Sequence, residues 1–597
     1  MRSPPDGQTR SDPPAGAGRG RQSNVKFSKR GAALVATGIA GAMVLSACGG
    51  GSSDSGGGEG DSGSGRVIFG ESTDFPENLF PYIAAGNATS VANLLIRVLP
   101  GPYVVNPDFS VDWDQDLLAS EPELDTSSGQ VNTYEINPDA VWSDGTPITA
   151  ADFEFTWRAN RSSDPADGGC PALLGTTGYE QIASVEASGD DDKTVTVTYT
   201  TPFSDWQSLF GNLLPAHVMD NDDPAALCES ITNGWPIADG IMDDISGGPW
   251  QIKAENIDVG SQIVTLTPNP EWWGEPTGLA QLVVQNIGND PTAAVQAMSN
   301  QELGVIYPQP QLDLVSQIED LSPAVESDVN FGLSFEHLDF NTTYGPLSSL
   351  AVRQAFTMAL DRQEIVDQTV GQFSSDAEVL ENRIYFNNQP QYQDTAPDEY
   401  KTQNTAMAKS LLESDGWVLG SDGVYAKDGQ RLTVQIDTTA NNPLRETTIN
   451  VMIPQLAEAG IEATFNANPD IFAGAEKPTS LEAGGFQAAV FAWVGSPFRG
   501  ATQSIYEQPQ GDAIGQNYSR QGTQEIDDLF AQFQVEPDPD AQAELGNQID
   551  ALLWGQVATV PLYQKPTFIA YQSSISGVED NSTQAGPLWN ADTWTVQ

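Results

Sequence analysis

A continuous apolar run that approaches the length of a membrane span occurs once in this chain, at residues 31–47. A basic segment ending in Lys26, Lys29 and Arg30 precedes it, and the run itself is short and rich in Gly and Ala. This combination predicts an export signal rather than a transmembrane helix. From Arg66 onward we find no second such run and no repeat of roughly 20–50 residues. The pattern therefore excludes a permease and a solenoid, and it predicts a soluble body.

The apolar run ends in Leu45-Ser46-Ala47-Cys48, which resembles the lipobox of bacterial lipoproteins. That resemblance implies that residues 1–47 are a signal peptide and that the cysteine is acylated at the outer face of the cell membrane. Residues 48–65 continue almost entirely with Gly, Ser, Asp and Glu, a composition typical of a flexible tether. The alternative is an ordinary export signal that a cysteine follows by chance.

The sequence contains three cysteines. If Cys48 is acylated, Cys170 and Cys228 remain, and in an exported, oxidising setting we expect them to form a disulfide. Two buried free thiols are the alternative.

Charge and missing motifs restrict the function. Lys and Arg number 25 against 81 Asp and Glu, a formal charge of −56, so nucleic acid is a poor partner. The two histidines, His217 and His337, lie about 120 residues apart, and the sequence contains no Gly-x-Ser-x-Gly elbow and no ATP-binding phosphate loop. We therefore expect a protein that is not an enzyme, has no cofactor or metal, and is not the ATPase of a transporter.

Local patterns predict a mixed α/β body. Residues 194–200 alternate between apolar and polar side chains, as expected of a strand with one buried face. Residues 352–360 carry apolar side chains at helical spacing, and Ser348 or Ser349 is available as the N-cap.

The most specific segment is residues 134–153, with the sequence YEINPDAVWSDGTPITAADF. It predicts a strand, a tight Asp-Gly turn, and a helix that starts after Pro147 with Thr149 as its N-cap. The segment also closely resembles the signature of the family 5 solute-binding proteins of ABC importers. Further segments resemble the same family in the same order, at residues 213–217, 247–250, 269–274, 340–362 and 560–563.

The family resemblance implies an α/β fold of the periplasmic-binding-protein-like type II, cluster C. Its two lobes would close on a ligand like a Venus flytrap, and one lobe would carry an extra inserted domain. Lobe I would comprise residues 66–105, 245–330 and 560–597. The inserted domain would be residues 106–244, which include the expected disulfide, and lobe II would be residues 331–559.

In the family's peptide receptors, an aspartate that follows a tryptophan binds the free amine of the peptide. The matching stretch here is residues 491–500, in which Trp493 is retained and Ser496 occupies the aspartate position. We expect the ligand to contact five residues of this region: Trp493, Gly495, Ser496, Arg499 and Tyr506. Glu71 and Asp74, on the first strand and its turn, are the candidates to replace the missing carboxylate.

The resemblance implies a monomeric, lipid-anchored receptor on the extracytoplasmic face. It would capture a small solute, in the first place a peptide, and deliver it to ABC permease subunits in the membrane. The alternative is a regulatory or glycolipid-binding lipoprotein of the same fold, resembling the phosphatidylinositol mannoside-binding lipoproteins of mycobacteria. Serine at position 496 favours that alternative. A nickel or haem receptor is a third interpretation, which the scarcity of histidine disfavours.

Overall fold

The computed structural model describes the chain in five ranges, residues 65–221, 223–288, 290–472, 477–509 and 514–597. The expected signal peptide, Cys48 and the tether up to residue 64 lie outside the described residues. None of the helices within the described ranges combines the length and the apolar character needed to cross a bilayer.

The described residues form 21 strands. They are β1 Arg66–Glu71, β2 Tyr103–Val105, β3 Val111–Trp113, β4 Glu123–Asp125, β5 Val131–Glu135, β6 Ile182–Ser188, β7 Thr194–Tyr199, β8 Trp250–Asp258, β9 Ile263–Pro268, β10 Gln281–Asn286, β11 Val305–Ile306, β12 Val325–Phe340, β13 Val418–Leu419, β14 Tyr425–Lys427, β15 Gln430–Arg431, β16 Thr433–Thr439, β17 Glu462–Asn468, β18 Ala488–Val494, β19 Thr559–Gln572, β20 Ile575–Ser576 and β21 Thr595–Val596.

The same residues form 14 α-helices. They are α1 Thr89–Leu95, α2 Ala150–Asn160, α3 Ala216–Met219, α4 Pro224–Asn233, α5 Pro291–Ser299, α6 Leu312–Glu319, α7 Leu350–Met358, α8 Arg362–Gln368, α9 Asp398–Lys401, α10 Thr405–Ser414, α11 Pro443–Glu458, α12 Gln503–Tyr506, α13 Gln524–Phe533 and α14 Pro539–Gln556.

Ten strands form one continuous sheet in the order β17-β16-β18-β12-β19-β11-β1-β10-β9-β8. β12 and β19, with 16 and 14 residues, are antiparallel neighbours in the middle of this sheet. Their register shifts between Phe331 and Phe335, and the part of β12 from Ser334 onward also pairs with β18. Two long strands therefore join the two halves of the sheet, and bending between the halves would concentrate at the irregular register.

Three large buried clusters form the main cores. The first lies on β1 and β8 to β10, the second packs α7, α8 and α11 against β12, β16, β18 and β19, and the third packs against the four-stranded sheet β4-β5-β7-β6. Segment 106–244 contributes to two of them, because Phe153 of α2 lies in the third cluster whereas Phe155 and Cys170 lie in the first. The predicted inserted domain thus shares part of its core with its neighbouring lobe.

The disulfide expected from the sequence is present in the structure. Cys170 and Cys228 are bonded, with their Cα atoms 5.0 Å apart. Cys228, at the middle of α4, packs against the first buried cluster, to which Cys170 belongs. The bond therefore holds the α4 region to the first core.

Segment 134–153 forms the elements that its sequence predicts. The turn places Gly145 at a positive φ of 85°, and α2 follows with Thr149 as its N-cap. The Thr149 hydroxyl accepts a hydrogen bond from the Ala151 N–H at 3.3 Å, and the Asp152 carboxylate accepts one from the Thr149 N–H at 2.9 Å. This reciprocal capping box explains why the helix begins at this point.

Candidate functional site

Strand β18 ends in the residues that the sequence places at the ligand. Trp493 stacks on His337 of β12, with ring centroids 5.9 Å apart, and on Tyr518, with centroids 5.6 Å apart. The indole is half-buried, while the next residue, Val494, is 64% exposed. We call His337, Trp493 and Tyr518 the Trp493 wall. Trp493 belongs to the packing of the fold and also leaves part of its surface open at the end of β18.

The loop after β18 turns sharply against β12. A Cβ atom on Gly495 would lie 2.1 Å from the Leu333 carbonyl oxygen, so this position admits only glycine without a backbone shift. The Ser496 hydroxyl donates a hydrogen bond to the Phe498 carbonyl at 3.0 Å. The serine thus stabilises the loop itself and supplies no negative charge to a ligand amine.

Arg499 and Tyr506 are packed inside the structure. The Arg499 guanidinium lies 4.5 Å from the centroid of the Phe386 ring, and its Nη2 donates to Gln389 Oε1 at 3.0 Å. Burial lowers the pKa of Arg499 to about 10, so the side chain remains cationic at neutral pH. Tyr506 is 3% exposed, and burial raises the pKa of its hydroxyl. Direct contact of either residue with a ligand stays a prediction, and it would require movement of this part of the structure.

Glu71 and Asp74 lie at the carboxyl end of β1. The Glu71 carboxylate accepts hydrogen bonds from the Thr73 N–H at 3.1 Å, the Thr73 hydroxyl at 2.9 Å and Asn93 Nδ2 at 3.0 Å. Asp74 accepts one from Asn286 Nδ2 at 2.9 Å. Glu71 therefore connects β1 to α1, and Asp74 connects the turn after β1 to β10. The role of both carboxylates as ligand acceptors stays a prediction.

A contact between segments far apart in sequence lies directly beside the Trp493 loop. The Gly500 N–H donates to Asp205 Oδ2 at 2.6 Å, and the Ser204 N–H donates to the Gln534 carbonyl at 2.8 Å. We call these four residues the clasp, because they join the predicted inserted domain to the predicted lobe II. Sequence reasoning missed the clasp, since 295 residues separate Asp205 from Gly500 and no local pattern relates them.

The carboxyl group of Asp205, in the clasp, is buried, and burial disfavours its ionised form. Asp205 is 8% exposed, and burial raises its pKa to about 6, although the Gly500 N–H and the Arg499 guanidinium favour the ionised form. A Cβ atom on Gly500 would lie 2.7 Å from Asp205 Oδ2, so glycine permits this close approach. The clasp therefore depends on the absence of a side chain at Gly500 and on the charge of Asp205.

The two halves of the large sheet share two long strands, and the clasp joins the predicted inserted domain to the predicted lobe II beside the loop that follows Trp493. Residues 115–508 match the family described as bacterial extracellular solute-binding proteins, family 5 (middle region), and the chain belongs to this family. This match confirms the resemblance drawn from the signature segment. It also confirms the two-lobed α/β fold class and the prediction that the protein is a binding protein rather than an enzyme.

Three comparisons show how far the similarity extends. The chain is 29% identical over 510 residues to the oligopeptide-binding protein OppA of Mycobacterium tuberculosis, covering 84% of this chain and 80% of OppA. It is 25% identical over 420 residues to the M. tuberculosis protein named "Probable monoacyl phosphatidylinositol tetramannoside-binding protein LpqW", covering 65% and 62% of the two chains. Among solved structures, the periplasmic EDTA-binding protein EppA superposes with a TM-score of 0.81 at 27% identity, covering 90% of this chain and 97% of EppA.

Proposed function

We propose that this chain is the lipid-anchored, extracytoplasmic substrate-binding protein of an ABC importer. It captures a small solute between its two lobes and delivers it, as a monomer, to the permease. The observation that carries the proposal is the hinged architecture, in which β12 and β19 join the lobes while the Trp493 wall and the clasp flank one loop. The 29% identity to OppA, a protein named for binding oligopeptides, supports a peptide as the solute.

Ligand contacts would drive closure of the two lobes. A solute shifts this equilibrium only as far as it binds the closed arrangement more tightly than the open one. The exposed part of the Trp493 ring offers dispersion contact to aliphatic and planar groups of many kinds. An extended peptide would add hydrogen bonds along a strand edge, which do not depend on peptide sequence. Because Ser496 carries no charge, a free peptide amine would gain no ion pair at that position.

A glycolipid is the second candidate ligand. Phe472 is 54% exposed, and its ring centroid lies 5.6 Å from that of Phe491, which in turn lies 5.3 Å from that of Trp493. The exposed Phe472 ring thus continues the aromatic packing around Trp493 to the surface, and exposed apolar surface of this kind favours an acyl chain. The similarity to LpqW supports the same candidate.

Native mass spectrometry tests the choice between the two ligands. Residues 49–597 would be expressed for export without the acylated cysteine, purified rapidly and sprayed under gentle conditions. A mixture of short peptides bound to the chain is the expected result. A uniform lipid adduct would reject the peptide proposal in favour of the glycolipid.

A Trp493→Ala variant tests whether the wall contacts the solute. We expect binding of a short-peptide library to weaken roughly tenfold or more, since a large aromatic contact is lost. We also expect the unfolding free energy to fall by about 2 kcal/mol, because the indole packs against two other aromatic rings. Trp157→Ala is the matched control, as Trp157 is also half-buried but lies on α2, where its indole donates to the Tyr179 carbonyl. Equal peptide affinities for the two variants, measured by calorimetry, would assign Trp493 to packing alone.

Metabolic labelling with an alkyne fatty acid tests the anchor. The full chain should incorporate the label and sediment with membranes, and a Cys48→Ala variant should do neither. Label that persists in the variant would contradict acylation at this cysteine.

A further inference from the structure

A cavity lies beside the loop that follows Trp493, since Phe498 of that loop lines it, and none of the side chains named in the proposed function does. Its volume is about 240 Å³, and neither Trp493 nor Ser496 lines it. Most of its surface comes from β2 and from loops near residues 97–101, 247–249 and 584–589. Five aromatic side chains line it, namely Tyr103, Trp272, Trp273, Phe498 and Trp589, and we call it the aromatic cavity.

Three indole rings of the aromatic cavity are fixed by their own N–H groups. Trp272 donates to the Glu275 carbonyl at 3.0 Å, and Trp273 donates to the Asp116 carbonyl at 2.7 Å. Trp589 donates to the Glu579 carbonyl at 3.2 Å. Because the polar edges are occupied by the backbone, the rings offer a ligand their carbon surfaces, whose π faces carry partial negative charge.

Carboxylates outnumber the one guanidinium at the edge of the cavity that Arg97 and Asp114 line. The Arg97 guanidinium makes two hydrogen bonds to Asp592, at 2.9 and 3.2 Å. The carboxylates of Asp114 and Asp116 also lie 3.9 Å from this one guanidinium, so three negative groups share one positive group. Burial and the adjacent Asp114 charge raise the pKa of Asp116, as expected where negative charge is in excess.

The carboxylates and the rings border each other. A Cβ atom placed on Gly274 would lie 2.7 Å from Trp272 Cζ2 and 2.8 Å from Asp116 Oδ1, so the indole and the carboxylate both pack against Gly274. Asp114 itself lines the aromatic cavity beside Arg97. Aromatic faces and an excess of carboxylate thus occur together, and a weakly hydrated cation is attracted by both.

We infer that the aromatic cavity binds a small organic cation of the quaternary or alkylated ammonium class. The alkyl groups of such an ion pack against the indole faces, while its charge compensates Asp114, which lines the cavity. A hard metal ion fits less well, because calcium takes roughly six to eight oxygen ligands. Within the described ranges, no group of three or more metal-binding side chains is assembled. An inorganic anion would meet like charge.

The experiment compares a cation with its neutral isostere on the full chain. Tryptophan fluorescence and calorimetry would follow titration with choline, with 3,3-dimethylbutan-1-ol, in which carbon replaces the charged nitrogen, and with methyl α-mannoside. We expect saturable binding of choline, and binding of the isostere at least roughly tenfold weaker. Equal binding of the isostere, selective binding of the sugar, or no saturable response to choline would each overturn the inference.

Two variants and one control locate the binding. Asp114→Asn retains the side-chain oxygen that accepts hydrogen bonds from the Asp116 and Leu117 N–H groups. This variant should lower the affinity for choline roughly tenfold. Trp589→Leu should lower the affinity for choline without changing the charge of the aromatic cavity. Asp108→Asn removes an equivalent charge at an exposed position outside the aromatic cavity and should leave choline binding unchanged. Undiminished binding by both folded cavity variants, checked by circular dichroism, would also overturn the inference.

Discussion

Replacing Asp205 by asparagine should strengthen the clasp and remove its response to pH. In the structure this carboxyl has a pKa of about 6, against an ordinary value of about 3.9 when exposed. A raised pKa in the closed contact means that the contact is most stable below about pH 4 and is weakened as pH rises through about 6. The difference of about two pKa units corresponds to about 3 kcal/mol at neutral pH. Asparagine keeps an oxygen for the Gly500 N–H and carries no charge, so most of that cost should disappear.

Small-angle X-ray scattering measures this effect directly as the radius of gyration without ligand. The wild-type chain should expand between about pH 4 and about pH 7 as the clasp opens, while Asp205→Asn should stay compact over the same range. Arg499, with a pKa of about 10, remains charged throughout. Gly500→Ala is the opposite perturbation, because its Cβ would lie 2.7 Å from Asp205 Oδ2, and it should be expanded at every pH. An Asp205→Asn chain that expands with pH exactly as the wild type does would refute the argument.

Three further perturbations have expected outcomes in stability or loop order. Cys228→Ser removes the disulfide to Cys170 and should lower the unfolding free energy by about 2–4 kcal/mol in urea titrations. An unchanged unfolding midpoint would show that the disulfide does not stabilise the fold. Asp550→Asn should lower the unfolding free energy by about 3–5 kcal/mol. The guanidinium of Arg383 lies 3.0 Å from Asp550 and has no exposed surface, and this variant leaves it without its charged partner. Gly495→Ala should increase amide exchange in the loop after β18, since Leu333 must move, and unchanged exchange would contradict the tight packing described here.

Strands and helices whose buried and exposed faces follow from residues close in sequence could be predicted from the sequence. The alternating pattern at 194–200 forms β7, in which Val195 and Val197 are fully buried. The helical pattern near 352–360 forms α7, and Ser349 occupies its N-cap position. The Ser349 hydroxyl nevertheless donates to Asp415 at 3.1 Å and makes no capping hydrogen bond. Position in the helix follows from local pattern, whereas the partner of a side chain depends on what the fold brings near it.

The candidate site was predictable only in part, for the same reason. The family motif located the loop that follows Trp493, because its residues are contiguous in sequence. The environment of Arg499 could not be predicted, since the Phe386 ring and the Gln389 amide that hold it come from more than 100 residues earlier. Asp205 carries no motif at all, and its raised pKa arises only when a segment distant in sequence covers it.

The position of β19 has a consequence for an exported chain. This strand begins at Thr559, yet it lies between β12 and β11 in the interior of the ten-stranded sheet. Until it arrives, the edges of both flanking strands lack their partner, so neither lobe can complete its hydrogen-bonded ladder. In a chain that crosses a membrane unfolded, the large sheet would consequently stay incomplete until residues 559–572 have emerged.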